Sequence, residues 1–101
     1  MKIRKEEGAT LNELLTNGVL LSAKAIGLYA VLLKADKNKN YTGIKEFLQK
    51  HVEDGQMSIT SGLQELINKG FLIKTVSRTQ SGAFCGTEYV LTAPTNQKLH
   101  V

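Results

Sequence analysis

Between positions 56 and 69 the apolar residues Ile59, Leu63, Leu66 and Ile67 recur at helical spacing. Stepping about 100° per residue places the other three within about 80° of Ile59. Gly70 ends the pattern, and Phe71-Leu72-Ile73 follows at once with strand character. Before it, Ile44, Phe47, Leu48, His51 and Val52 share one face of a third helix, which Thr42 is placed to cap. Glu53-Asp54-Gly55 makes the turn, and either Asp54 or Gly55 opens the fourth helix. Further back, 23–35 is apolar nearly all round (Ile26, Leu28, Tyr29, Ala30, Val31, Leu32, Leu33), as expected of a helix at the centre of a domain, with Ser22 as its cap. Thr10-Leu11-Asn12-Glu13 is a capping box opening a short helix over 10–17, with Leu11, Leu14 and Leu15 on one face and Asn17-Gly18 as the stop.

Two strands are expected after the fourth helix, over 72–76 and 84–91, joined by turn residues Thr79-Gln80-Ser81-Gly82. Ile3 suggests a third strand beside that hairpin. Pro94 closes the domain, and the polar stretch 95–101 is expected to fray. Helix, tight turn, helix, hairpin is the order of a winged helix-turn-helix. The expected fold is therefore α+β, mainly α: a single winged-helix domain over 1–101, with three to four helices, a C-terminal β-hairpin wing and an ordered core over about 9–92.

Charge adds a qualification. The net charge is +4, which suits a polyanionic partner. Residues 1–50 carry nine Lys/Arg and five Asp/Glu, and residues 51–101 carry four of each. The surplus thus lies ahead of the fourth helix, which with Asp54, Glu65 and Lys69 is net negative. A single cysteine, Cys85, precludes an intrachain disulfide and fits a cytoplasmic protein. It reads as a semi-buried small apolar residue. No apolar run approaches the roughly 18 residues needed to span a bilayer, and no signal-like segment opens the chain. Metal-ligand spacing, a phosphate-cradling glycine loop and a nucleophile–base pair are all missing from the sequence, so no cofactor, no metal and no enzymatic activity is expected. His51, on the apolar face of the third helix, reads as a packed core or boundary residue; no role is read for His100.

Three segments resemble a known family. Leu21-Ser22-Ala23-Lys24-Ala25-Ile26-Gly27-Leu28-Tyr29-Ala30-Val31-Leu32-Leu33 is similar to the opening helix of replication-initiator winged helices. These are the N-terminal domains of DnaD-type and phage replisome-organiser proteins of Gram-positive bacteria and their mobile elements. The stretch 55–72, with its Ile-x3-Leu-x2-Leu core and Lys69-Gly70-Phe71-Leu72 exit, and the wing end Gly86-Thr87-Glu88-Tyr89-Val90 resemble the same family. The resemblance covers about 9–92 and implies DNA binding in replication initiation. The middle stretch is shared with many winged helices, transcription regulators included. The chain departs from the family by lacking Arg or Lys in the first turns of the fourth helix. It also lacks the second domain through which replisome members engage helicase loading, so that activity is not carried over. A fragment, a stand-alone regulator and an orphaned mobile-element protein all remain open.

In a winged helix the face of the fourth helix opposite Ile59 meets the major groove. The candidate base-reading residues are Gln56, Met57, Ser58, Thr60, Ser61 and Gln64. Gln can bond adenine through two contacts, Ser and Thr suit several bases, and Met can touch a thymine methyl. The same residues also suit a solvated face or a protein contact. Candidate phosphate contacts are Thr42 and Lys45 at the start of the third helix and Lys74 and Arg78 on the wing, with Lys34, Lys37 and Lys39 as a loop cluster near a flanking backbone. The expected partner is double-stranded DNA, read by the helix at about 56–69 and the wing at about 71–91. With so neutral a helix, a homodimer would be needed for tight binding. The alternative is a winged helix that does not bind DNA and serves protein–protein interaction or dimerisation, with Leu11, Leu14 and Leu15 as a dimer contact or a dock for a replication or transcription protein. Those leucines equally suit packing on the domain's own core.

Overall fold

The computed structural model describes residues 1–16, 18–78 and 84–92, apart from the side chains of Ser77, Arg78, Phe84 and Cys85. Among them lie four helices and three strands: β1 (Lys2–Lys5), α1 (Leu11–Thr16), α2 (Ala23–Leu32), α3 (Ile44–Gln49), α4 (Gln56–Asn68), β2 (Leu72–Arg78) and β3 (Phe84–Leu91). The strands form one mixed sheet in the order β1-β3-β2, with β3 parallel to β1 and antiparallel to β2. The class is α+β. The turn expected over 79–82 and the segment 93–101, Pro94 and His100 included, lie outside the described residues.

Local side-chain caps set two of the four helix starts. The Thr10 hydroxyl accepts the Glu13 amide at 3.1 Å, and the Ser22 hydroxyl accepts the Ala25 amide at 3.1 Å. Two expectations give way, the first to a longer-range contact. Thr42 does not cap α3: the cap is Gly43, with no side-chain bond. The Met1 amine and carbonyl pair with the Tyr41 carbonyl and amide at 3.0 and 2.7 Å, which holds this stretch extended up to Gly43. Helix α2 stops at Leu32 rather than Ala35, and the chain tightens through bonds from Lys34 to Val31 and from Ala35 to Leu32.

The apolar centre is α2. Tyr29 and Leu32 are buried there with Leu14 of α1, Leu48 of α3, Leu66 of α4, Ile3 of β1 and Leu91 of β3. The Tyr29 hydroxyl donates to the Thr92 carbonyl at 3.0 Å, and its ring meets Phe71 edge-on at 6.2 Å. Burial pushes the Tyr29 phenol up to about 12. Ile3 does join a strand, β1, and this makes β3 the central strand of the sheet. The α1 leucines part company: Leu14 is buried, whereas Leu15 is 58% exposed and Leu11 is at the surface.

Candidate nucleic-acid interface

Helix α4 begins at the extended Gly55, settling the choice between Asp54 and Gly55. It ends in a closed motif: the Gly70 amide bonds the Ile67 carbonyl at 3.1 Å, and the Phe71 amide bonds the Leu66 carbonyl at 2.9 Å. Gly70 has φ 84°, the left-handed conformation such an exit requires. Leu66 and Phe71 are both fully buried, supplying the apolar contact that accompanies this exit. The chain therefore turns from α4 straight into β2. Thr92, just past β3, closes the base of the hairpin: its hydroxyl donates to the Gly70 carbonyl at 2.6 Å and its amide to the Phe71 carbonyl at 3.0 Å.

The inward side of α4 carries Ile59, Gly62, Leu63 and Leu66, all buried. A Cβ at Gly62 would lie 2.5 Å from Leu28 Cδ1 and 3.2 Å from Lys24 Cγ, so the glycine makes room for the α2 side chains that pack on α4. The outward side gathers Gln56, Met57, Thr60, Ser61 and Gln64 on one exposed surface, with Met57 88% exposed. Ser58 is half-buried, at the margin of that surface. The Gln64 amide donates to Asn68 Oδ1 at 3.0 Å, which orients its carboxamide along the helix.

Two polar links tie this face to the start of α2. Glu65 accepts both the Ser22 amide and the Ser22 hydroxyl, each at 2.7 Å, and these bonds hold its carboxyl below the usual range. Lys24 Nζ donates to Ser61 Oγ at 3.2 Å. Lys24 thus brings a cation to the edge of a helix face that has none in its own first turns. Sequence reasoning missed it. The available signal was its spacing of four from Leu28, which puts both on the side of α2 that crosses α4 at Gly62.

The phosphate candidates divide. Thr42 and Lys74 come together, lining with Thr87 and Tyr89 a shallow groove of about 390 Å³ between the start of α3 and the hairpin. Lys45 is exposed on α3. Arg78 ends β2, and its side chain, like that of Cys85, lies outside the described residues. His51 is not packed in the core but exposed, because α3 ends at Gln49 and the chain turns back through a bond from the His51 amide to the Leu48 carbonyl.

No protein-family model, no curated protein and no solved structure matches the chain. No helix among the described residues is long and apolar enough to cross a membrane.

Proposed function

We propose that the chain is a winged helix-turn-helix that binds duplex DNA, with α4 in the major groove and the β2–β3 hairpin on the adjacent backbone. Supporting this is the combination of α3, α4 and hairpin in that order with an exposed face of α4 that, beside the Lys24–Ser61 bond, presents hydrogen-bonding side chains and Met57 to solvent. Gln56 and Gln64 suit adenine, Ser61 and Thr60 suit several bases, and Lys24, Thr42 and Lys74 suit phosphates. Replication initiation or transcription control is the process this reading favours, on the resemblance described above. The test is fluorescence anisotropy with a random duplex of about 30 base pairs at about 50 and about 200 mM salt; affinity should fall steeply with salt. Gln56→Ala with Ser61→Ala, and separately Arg78→Glu, should weaken it. Binding equal to the parent in both variants would exclude this face.

One observation favours a second reading, a protein-interaction module with the same fold. Leu15 and Leu20 are 58% and 88% exposed, one on α1 and one just after it. Light scattering at high concentration decides its homodimer form: a strictly monomeric chain removes it.

A further inference from the structure

The loop between α2 and α3 and the outer side of α3 border an open groove of about 390 Å³, and no residue of α4 lines it. Lys34, Lys39 and Lys50 line it against one carboxylate, Glu46, which leaves a cationic surface even with His51 neutral. Three rings lie among these charges. Tyr41 meets Phe47 with centroids 4.8 Å apart and planes at 67°, and Phe47 meets His51 at 4.9 Å and 56°. Phe47 is buried, Tyr41 is half-buried and His51 is exposed, so Tyr41 and His51 are the rings a ligand can reach. The cluster is fixed in advance. The Asp36 amide donates to the Tyr41 hydroxyl at 3.0 Å, the Tyr41 amide to the Met1 carbonyl at 2.7 Å, and Lys39 Nζ sits 5.4 Å from the Tyr41 ring centre.

We propose that this groove binds a nucleotide, with the base against Tyr41 and His51 and the phosphate among Lys34, Lys39 and Lys50. A bare anion would use the lysines and leave the rings idle. A base with its phosphate uses both, as stacking platforms in cationic grooves do. The volume falls in the usual range of small-molecule sites, roughly 300–1,000 Å³. The nucleotide can be free or one unit of a single strand. A duplex keeps its base faces stacked and is not a source. The inference therefore stands apart from the reading of α4.

The test is a titration of the 15N-labelled full chain, followed by amide chemical shifts at about 50 mM salt. Three probes are compared: thymidine monophosphate, an oligothymidylate of about eight nucleotides, and inorganic phosphate. Shifts centred on Lys39, Tyr41, Lys50 and His51 are expected with a nucleotide probe. Response to the monophosphate identifies a single free nucleotide as sufficient; response to the oligomer alone identifies a strand. Lys34→Glu with Lys50→Glu should weaken binding about tenfold or more, and His51→Ala at least about fivefold. All three positions are exposed, so the same spectra report that the fold persists. Gln56→Ala with Ser61→Ala should leave the nucleotide affinity unchanged while it weakens duplex binding. The proposal is overturned by shifts confined to α4, by phosphate binding as tightly as the nucleotides, or by no shift with any probe.

Discussion

On the inward side of α4, Leu66 is fully buried and Gly62 has no room for a methyl group; on the opposite side of the same helix, Met57 is 88% exposed. The inward side answers to volume, because a filled interior resists both loss and gain of atoms. The outward side answers to chemistry, since its residues can change without disturbing the apolar core. A surface released from packing is where selection for a ligand can act, and this is why a face that looks bland in composition is the stronger functional candidate.

The largest effects are expected from the inward side. Leu66→Ala should cost about 2–5 kcal/mol, read as a lowered midpoint in urea unfolding. A loss below about 1 kcal/mol would mean that α4 is not anchored as described. Gly62→Val should cost about 1–3 kcal/mol by forcing α2 and α4 apart at Leu28, and amide shifts should spread along both helices. On the outward side, Gln64→Ala should change stability by less than about 0.5 kcal/mol but lower affinity for a selected duplex by about 1–3 kcal/mol. A large stability loss there would erase the distinction between the two faces.

Smaller effects sharpen the boundary between the faces. Tyr29→Phe removes the bond to Thr92 and should cost about 1 kcal/mol. It should also remove an alkaline dependence. The phenol of the folded chain titrates near 12, above its ordinary value of 10. Its stabilising contribution is full below 10 and is lost as pH rises through the folded value. Glu65 has the opposite sign. Its carboxyl is held low by Ser22, so its contribution is present above the ordinary carboxylate range and fades as pH falls through the lowered folded value. Solvent screens the group, so the effect is small. Glu65→Gln should flatten the acid limb of a stability–pH curve and leave neutral stability little changed; an unaltered acid limb would show that the Ser22 bonds carry no linkage.

Legibility from sequence followed the range of the forces involved. The span of α4, its buried stripe, its stop at Gly70 and the caps at Thr10 and Ser22 were all readable, because each depends on neighbours within a few residues. The differences were at Thr42, where pairing with Met1 across the fold moved the cap to Gly43, at the early end of α2, and at His51, read as core or boundary, which an early end of α3 leaves exposed with its ring against Phe47. For the candidate sites, the outward residues of α4 could be listed from a helical wheel. Lys24 beside Ser61 could not, because the two come from separate helices; the loop cations Lys34 and Lys39 were readable, but not that Lys50 of the α3 end shares one groove with them.

The amino-acid sequence by itself determined the helices, the order of elements and the division of α4 into an apolar and a polar side, since periodicity and capping are local properties. Tertiary structure alone decided that the strand at Ile3 pairs with β3 and makes it central, and that Leu14 turns inward while Leu15 does not. It also decided which cations and rings face each other. Those outcomes depend on how distant segments compete to bury the same surface, and no local pattern encodes that competition.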